Sequence, residues 1–195
     1  MKTDWHNLYN KIQEKRKKVT FSTMQIIAFG FLGVIFLGSI LLYLPISNQE
    51  PIAYLDALFV SVSAVCVTGL VTVVPAVQFT VFGKIILLLL IQIGGLGVIA
   101  CTMAVFLAIR KKITMKSRVM IQQTYNLETL SGLVRFIIRI LKGTVLVEGI
   151  GAVLFAFHFV PEYGFIKGVA YGIFHSVSAF CNAGIDVLGT SSFMA

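Results

Sequence analysis

The chain has 195 residues, of which 57% are hydrophobic and only 12% charged. An ordinary soluble domain is excluded, and an integral membrane protein is expected. The 16 Lys and Arg against 8 Asp and Glu give a formal net charge of +8, but the basic residues cluster at the ends of apolar runs without interleaved aromatics, which argues against a nucleic-acid partner.

In chain order, residues 1–20 form a polar, basic tail with Lys11, Lys15, Arg16, Lys17 and Lys18 close to the membrane. The tail reads as a short amphipathic helix on the cytoplasmic surface or as a solvated segment that only sets topology. The first apolar run, residues 21–44, has no small-residue cleavage pattern and is expected to stay as a spanning helix. It is ended by Pro45 and the turn-forming stretch SNQEP. Residues 54–65 lead into a glycine turn; they are too short for a span and too apolar for a loop, so a re-entrant helix is expected. Residues 79–109 form a second span of roughly 46 Å at 1.5 Å per residue, which must tilt or project into the cytoplasm. A basic connection over 110–135 precedes a third span over 136–160, ended by Pro161. A second re-entrant helix is expected over 172–180, and the sequence then stops without a closing span.

Lys and Arg counts set the orientation. Six precede the first span and eight lie between residues 110 and 142, whereas 45–83 contains none and 161–195 only Lys167. The amino terminus and the basic loop are therefore expected in the cytoplasm, with both re-entrant segments entering from outside.

A twelve-residue segment occurs twice. Residues 59–70 read FVSVSAVCVTGL, and 115 residues later 174–185 read FHSVSAFCNAGI, identical at seven positions. This is an internal repeat. It predicts an all-α membrane protein of span, re-entrant pore loop and span, with the loops facing a common axis. The organisation is a tail over 1–20, a complete first unit over 21–109, a cytoplasmic basic loop over 110–135, and a second unit over 136–195 lacking its closing span. A ring of carbonyls that replaces an ion's hydration shell needs about four such loops, and this chain supplies two.

The candidate ion ligands are the backbone carbonyls of Val67, Thr68 and Gly69 in the first turn and of Asn182, Ala183 and Gly184 in the second. Glycine suits such a turn because a carbonyl can be aimed at an axis where no Cβ restricts φ and ψ. The preceding helix directs its partial negative end at the same place, which favours a cation; neither turn carries a basic residue. The competing reading makes each loop a packing element with a glycine kink. Three cysteines, an odd number, cannot all pair internally, and a disulfide framework is not expected.

Five stretches carry a family resemblance: LPIS at 44–47, DALFVSVSAVCVTGL at 56–70, QFTVFGK at 78–84, LIQIGGLGV at 90–98 and FHSVSAFCNAGI at 174–185. Together with the order of spans they make the chain similar to the amino-terminal part of a Ktr/Trk/HKT potassium transporter, most of all the bacterial Ktr membrane subunit. The resemblance implies four span-loop-span repeats with one filter glycine each, of which Gly69 and Gly184 are the first two. It implies K+ uptake down the electrochemical gradient, often dependent on Na+, by a homodimer in the bacterial plasma membrane. It also implies a cytoplasmic ring of nucleotide-binding regulatory subunits docked on charged surface such as Lys111, Lys112, Lys116 and Arg118; nucleotide would act on that partner, and no nucleotide site is expected in this chain. The alternative for those charges is topology and contact with anionic membrane lipids. Two features depart from the pattern: Ala183 stands where the first repeat has Thr68, and third and fourth repeats are absent. The alternative function is a truncated, non-transporting scaffold that associates with full transporters.

Gln92, Gly94, Gly95 and Gly97 favour close helix packing, with Gln92 an interhelical hydrogen-bond partner or, less readily, part of an ion path. Glu148, near the middle of the third span, needs a partner or a water-filled cavity; that partner is expected from another part of the assembly, for structural pairing or for ion conduction. Asp56 fits the first turn of the first re-entrant helix, where a carboxylate complements the helix dipole. Asp186 either attracts cations at the outer mouth or is a solvated turn residue. His158 and His175 are expected to be polar groups near the outer surface rather than metal ligands. No paired carboxylates, activated nucleophile or phosphate-cradling motif suggests an enzyme.

Overall fold

The computed structural model of the chain describes residues 23–97, 100–101 and 133–189. The basic tail, most of the 110–135 loop with its four candidate docking residues, and residues 102–109 and 190–195 lie outside the described residues. Among the described residues the elements are helices, with an isolated antiparallel bridge between Asn48 and Phe79.

Helix α1, Thr23–Tyr43, is apolar along its length. Pro45, which cannot donate a backbone hydrogen bond, follows it, and two side chains then fold back over its end. Ser47 Oγ donates to Leu41 O at 2.6 Å, while Asn48 Nδ2 donates to Leu42 O at 2.6 Å and Leu44 O at 3.0 Å. These bonds satisfy carbonyls that a helix end leaves without an intrahelical partner. Thr80 joins the same corner: its N–H donates to Ser47 O at 3.0 Å and its Oγ1 to Ile46 O at 2.7 Å. The LPIS and QFTVFGK stretches thus build one loop.

Helix α2, Tyr54–Cys66, carries Asp56 in its first turn as expected. It buries Ala57, Val60, Ser61 and Ala64, a spacing that places one stripe of small and branched side chains on the core side. A single turn, α3 at Pro75–Gln78, leads to the fully buried Phe79. Helix α4, Val81–Leu96, is N-capped by Thr80, whose Oγ1 accepts from Gly83 N–H at 3.3 Å. It is shorter than the unbroken second span expected to residue 109. Gly97 adopts φ +85° and its N–H bonds to Gly94 O at 3.2 Å, which closes the helix there.

Helix α5, Leu133–Tyr163, and helix α6, Phe165–Phe180, pack along each other and are joined by Gly164 alone. Two expectations are corrected here. Pro161 lies inside α5 and does not end it; the helix ends at Gly164, whose φ is +81° and whose N–H still bonds to Val160 O at 3.0 Å. The helix expected over 172–180 begins at Phe165.

Within α5, Arg135–Tyr163 is the one helix among the described residues long and apolar enough to cross a membrane, with a mean hydropathy of 1.8. Only 6% of its most apolar stretch is buried in the protein, whereas the core helix of a soluble protein would be covered. Val145, Leu146, Ile150, Leu154 and Phe157 are exposed along it. The shorter apolar helices are Ile27–Tyr43, Tyr54–Cys66 and Val81–Leu96. Helices α1, α2 and α4 pack together, and α6 docks on α4.

Candidate functional site

The two copies of the repeat fold alike. In the first, Val67 takes a left-handed conformation at φ 56° and ψ 41° directly after α2. Thr68 N–H then returns to Ser63 O at 3.0 Å, and Gly69 has φ +78°. In the second, Asn182 has φ 59°, Ala183 N–H returns to Ser178 O at 2.7 Å, and Gly184 has φ +67°. Each of these residues lies 115 positions from its counterpart. Positive φ is unremarkable for glycine and tolerated by asparagine, but for β-branched Val67 it is a true outlier.

The serines conserved between the two copies anchor these turns. Ser61 Oγ donates to Ile35 O on α1 at 2.8 Å, and its counterpart Ser176 donates to Glu148 O on α5 at 2.6 Å. Each serine sits against a glycine of the partner helix: a β-carbon on Gly38 would lie 2.6 Å from Ser61 Oγ, and one on Gly151 would collide with Ser176 Oγ. The two copies therefore share one packing device, in which a glycine lets α2 approach α1 and α6 approach α5. The copies differ one turn later. Thr68 Oγ1 donates to Ser63 Oγ at 2.9 Å, whereas Ser178, opposite Ala183, donates its Oγ to Ile185 O at 2.7 Å. Where Ala183 lacks the hydroxyl of Thr68, the serine itself ties down the turn.

The two turns also meet. A β-carbon on Gly69 would lie 2.6 Å from Ala183 O and 3.7 Å from Gly184 Cα. Behind them, α4 fits closely: Gly94 lies against the carbonyl of Val65, and Gly95 against the side chain of Cys181. All three cysteines are free.

Glu148 finds its partner within this chain, contrary to the expectation of one from elsewhere in the assembly. Gln92 Nε2 on α4 donates to Glu148 Oε1 at 2.9 Å, in line with the reading of Gln92 as an interhelical hydrogen-bond donor. Asp186 lies just past the second turn, where its Oδ1 accepts from Leu188 N–H at 3.2 Å. His158 and His175 both pack against Phe159 with tilted rings, their centroids 5.3 and 5.1 Å away. Lys84 sends its Nζ to Ala76 O at 2.8 Å, so the basic residue at the head of α4 is tied to the loop that precedes it. Ser61, Ser63, Ser176 and Ser178 belong to none of the candidate sets above; their identity between the two copies is the signal the sequence offers for them.

The chain matches the TrkH cation transport protein family over residues 6–195. It belongs to that family. It is 42% identical over 182 residues to the potassium/sodium uptake protein NtpJ of Enterococcus hirae, covering 92% of this chain and 40% of that protein. It is 39% identical over 171 residues to the Ktr system potassium uptake protein B of Bacillus subtilis, covering 88% and 38%. With the protein of the same name from Vibrio alginolyticus the identity is 34% over 177 residues, covering 91% and 39%. This TrkH-family chain thus spans about two-fifths of the length of the curated relatives it matches, and its resemblance to Ktr membrane subunits holds across nearly all of its own sequence.

Proposed function

We propose that this chain supplies two of the pore loops of a multi-pass potassium uptake protein in the bacterial plasma membrane, with the carbonyls of Val67, Thr68, Gly69, Asn182, Ala183 and Gly184 as ion ligands. The observation that carries the reading is the meeting of two turns with matching backbone geometry, Gly69 against Ala183 O, each at the carboxyl end of a short helix. In an ordinary extended strand successive carbonyls alternate between the two sides. A positive φ at Val67 and Gly69, with Thr68 between them, is a pattern that can bring them to one side, as it is at Asn182 and Gly184. Neutral oxygens at helix carboxyl ends suit a monovalent cation that must bind and leave quickly. The relatives are named for transport of potassium or of potassium and sodium, which supports K+ as the cargo and Na+ as a candidate coupling ion. The protein acts by conduction and not as an enzyme.

The test is complementation. The full-length gene, expressed in a bacterium lacking potassium uptake, restores growth at low potassium. Well-expressed protein without rescue would refute the proposal.

Partners follow from the same relationship. The words "Ktr system" in the names of relatives support assembly with a regulatory subunit, here a nucleotide-binding ring on the cytoplasmic side of a homodimer. Neutralising Lys111, Lys112, Lys116 and Arg118 should release that ring in a pull-down; retention would place the docking surface elsewhere.

A further inference from the structure

The two units can be aligned through their serines. Ser61 bonds to the carbonyl of Ile35 and Ser176 to that of Glu148. Three residues further along each span lies the glycine that receives the serine, Gly38 or Gly151. Ile35 and Glu148 therefore hold the same place in the two units. The first unit makes this packing with a buried isoleucine, so the fold does not need a carboxylate there. An ionisable side chain within a spanning helix is costly, and its presence in the second unit calls for a task that the first performs without it.

That task is visible in where the carboxylate reaches. It leaves its own unit and accepts from Gln92 on α4, at 2.9 Å. Gln92 stands three residues before Gly95, against which Cys181 packs, and Cys181 immediately precedes Asn182 of the second turn. The same residue, Glu148, is held by α6 through the Ser176 bond to its backbone. One residue thus joins α4 of the first unit, α5 and α6, about one helical turn along α4 from the Gly95–Cys181 contact that precedes the second turn.

We infer that Glu148 is a positioning residue for the second turn, acting through its hydrogen bond to Gln92 to fix how far that turn sits from the first. The inference rests on the proposed filter, since it is the ligand geometry that the bond would set. What matters is an acceptor at this position and not its charge.

The experiment uses the full-length protein in potassium-uptake-deficient cells, at matched membrane levels. Glu148→Leu and Gln92→Leu should each raise the apparent KM for potassium roughly fivefold, the factor expected for one lost hydrogen bond, and leave maximal flux within about twofold. Glu148→Gln keeps an acceptor for Gln92 and should stay within about twofold of the parent. The double leucine variant should be no worse than either single one, because both remove the same bond. The exchange Gln92→Glu with Glu148→Gln re-forms the pair and should restore the parental KM. If Glu148→Leu does not reach the membrane, Gln92→Leu and the exchange still decide the matter. Unchanged KM in Gln92→Leu, an equal defect in Glu148→Gln and Glu148→Leu, multiplied defects in the double variant, or an exchange that fails to rescue would each overturn the inference. If Gly69→Ser alters selectivity while the leucine variants do not, positioning by Glu148 fails and the filter stands; if Gly69→Ser is also silent, the filter itself fails.

Discussion

The carbonyl oxygen of Ala183 stands where a side chain on Gly69 would have to go. A β-carbon there would lie 2.6 Å from it, whereas one on Gly184 would approach Gly69 Cα no closer than 4.0 Å. The two glycines of the repeat share a positive φ but not the same surroundings.

Substituting them should reveal this inequality. Gly69→Ser and Gly184→Ser each force a side chain into a left-handed conformation, at about 1–2 kcal/mol, and each should raise the KM for potassium or admit sodium. Gly69→Ser must also push the Ala183 carbonyl aside and should be the more severe. Rubidium flux with sodium as competitor, at equal protein level, reads the difference. Equal defects, or Gly184→Ser as the worse variant, would contradict the geometry.

Val67 and Asn182 occupy the same left-handed position in the two turns. Asparagine tolerates it and β-branched valine does not. Asn182→Val should therefore destabilise the protein by about 1 kcal/mol. Val67→Asn exchanges strain for lost packing and should stay within roughly 1 kcal/mol of the parent. Thermal unfolding of detergent-purified full-length protein tests both, and a neutral Asn182→Val would remove strain as the explanation.

Asn48 is buried and holds the end of α1 through Leu42 O and Leu44 O while accepting from Gln78 Nε2 at 3.3 Å. Asn48→Ala leaves the Leu42 carbonyl without this donor, while Leu44 O keeps the Ser47 N–H at 2.9 Å, and should cost about 1–3 kcal/mol. Neighbouring Gln49 is exposed, and Gln49→Ala should change stability by less than about 0.5 kcal/mol. Similar unfolding temperatures for the two variants would rule out the capping role.

Gly94 faces the Val65 carbonyl with no room for a methyl group, whereas Gly149 on α5 has nothing within 4 Å. Gly94→Ala should cost about 1–3 kcal/mol through overpacking, and Gly149→Ala should be neutral or slightly stabilising through helix propensity. The contrast can be scored by the fraction of protein that stays monodisperse after heating. Loss of that contrast would mean that α4 and α2 are not packed this closely.

The repeat was legible in the sequence because the positions it keeps, Ser61 and Ser176, Ser63 and Ser178, Gly69 and Gly184, are those that bond or turn the backbone. The limits of α1 and α2 were legible as well, since Pro45 and the glycine turn punctuate uniformly apolar runs. The start of α6 was not. The helix was expected only from residue 172, but it already includes Gly168, a close-approach point against Val160, and the exposed Lys167. Pro161 misled for a related reason: near a helix's carboxyl end its missing N–H removes one bond without ending the helix. The Gln92–Glu148 pair joins residues 56 apart on different helices, and no local pattern announces it.

The single residue between α5 and α6 has a consequence for how the protein is made. Gly164 leaves almost no loop to close, so the entropy of bringing these two helices together is small. They can meet as a hairpin as soon as both have left the ribosome. Helices α1 and α4 must instead find each other across the intervening loop, α2 and the first turn. The second turn is therefore carried by a pair that needs little searching, whereas α1 and α4, the latter supplying the surface on which α6 docks, have the longer loop to close.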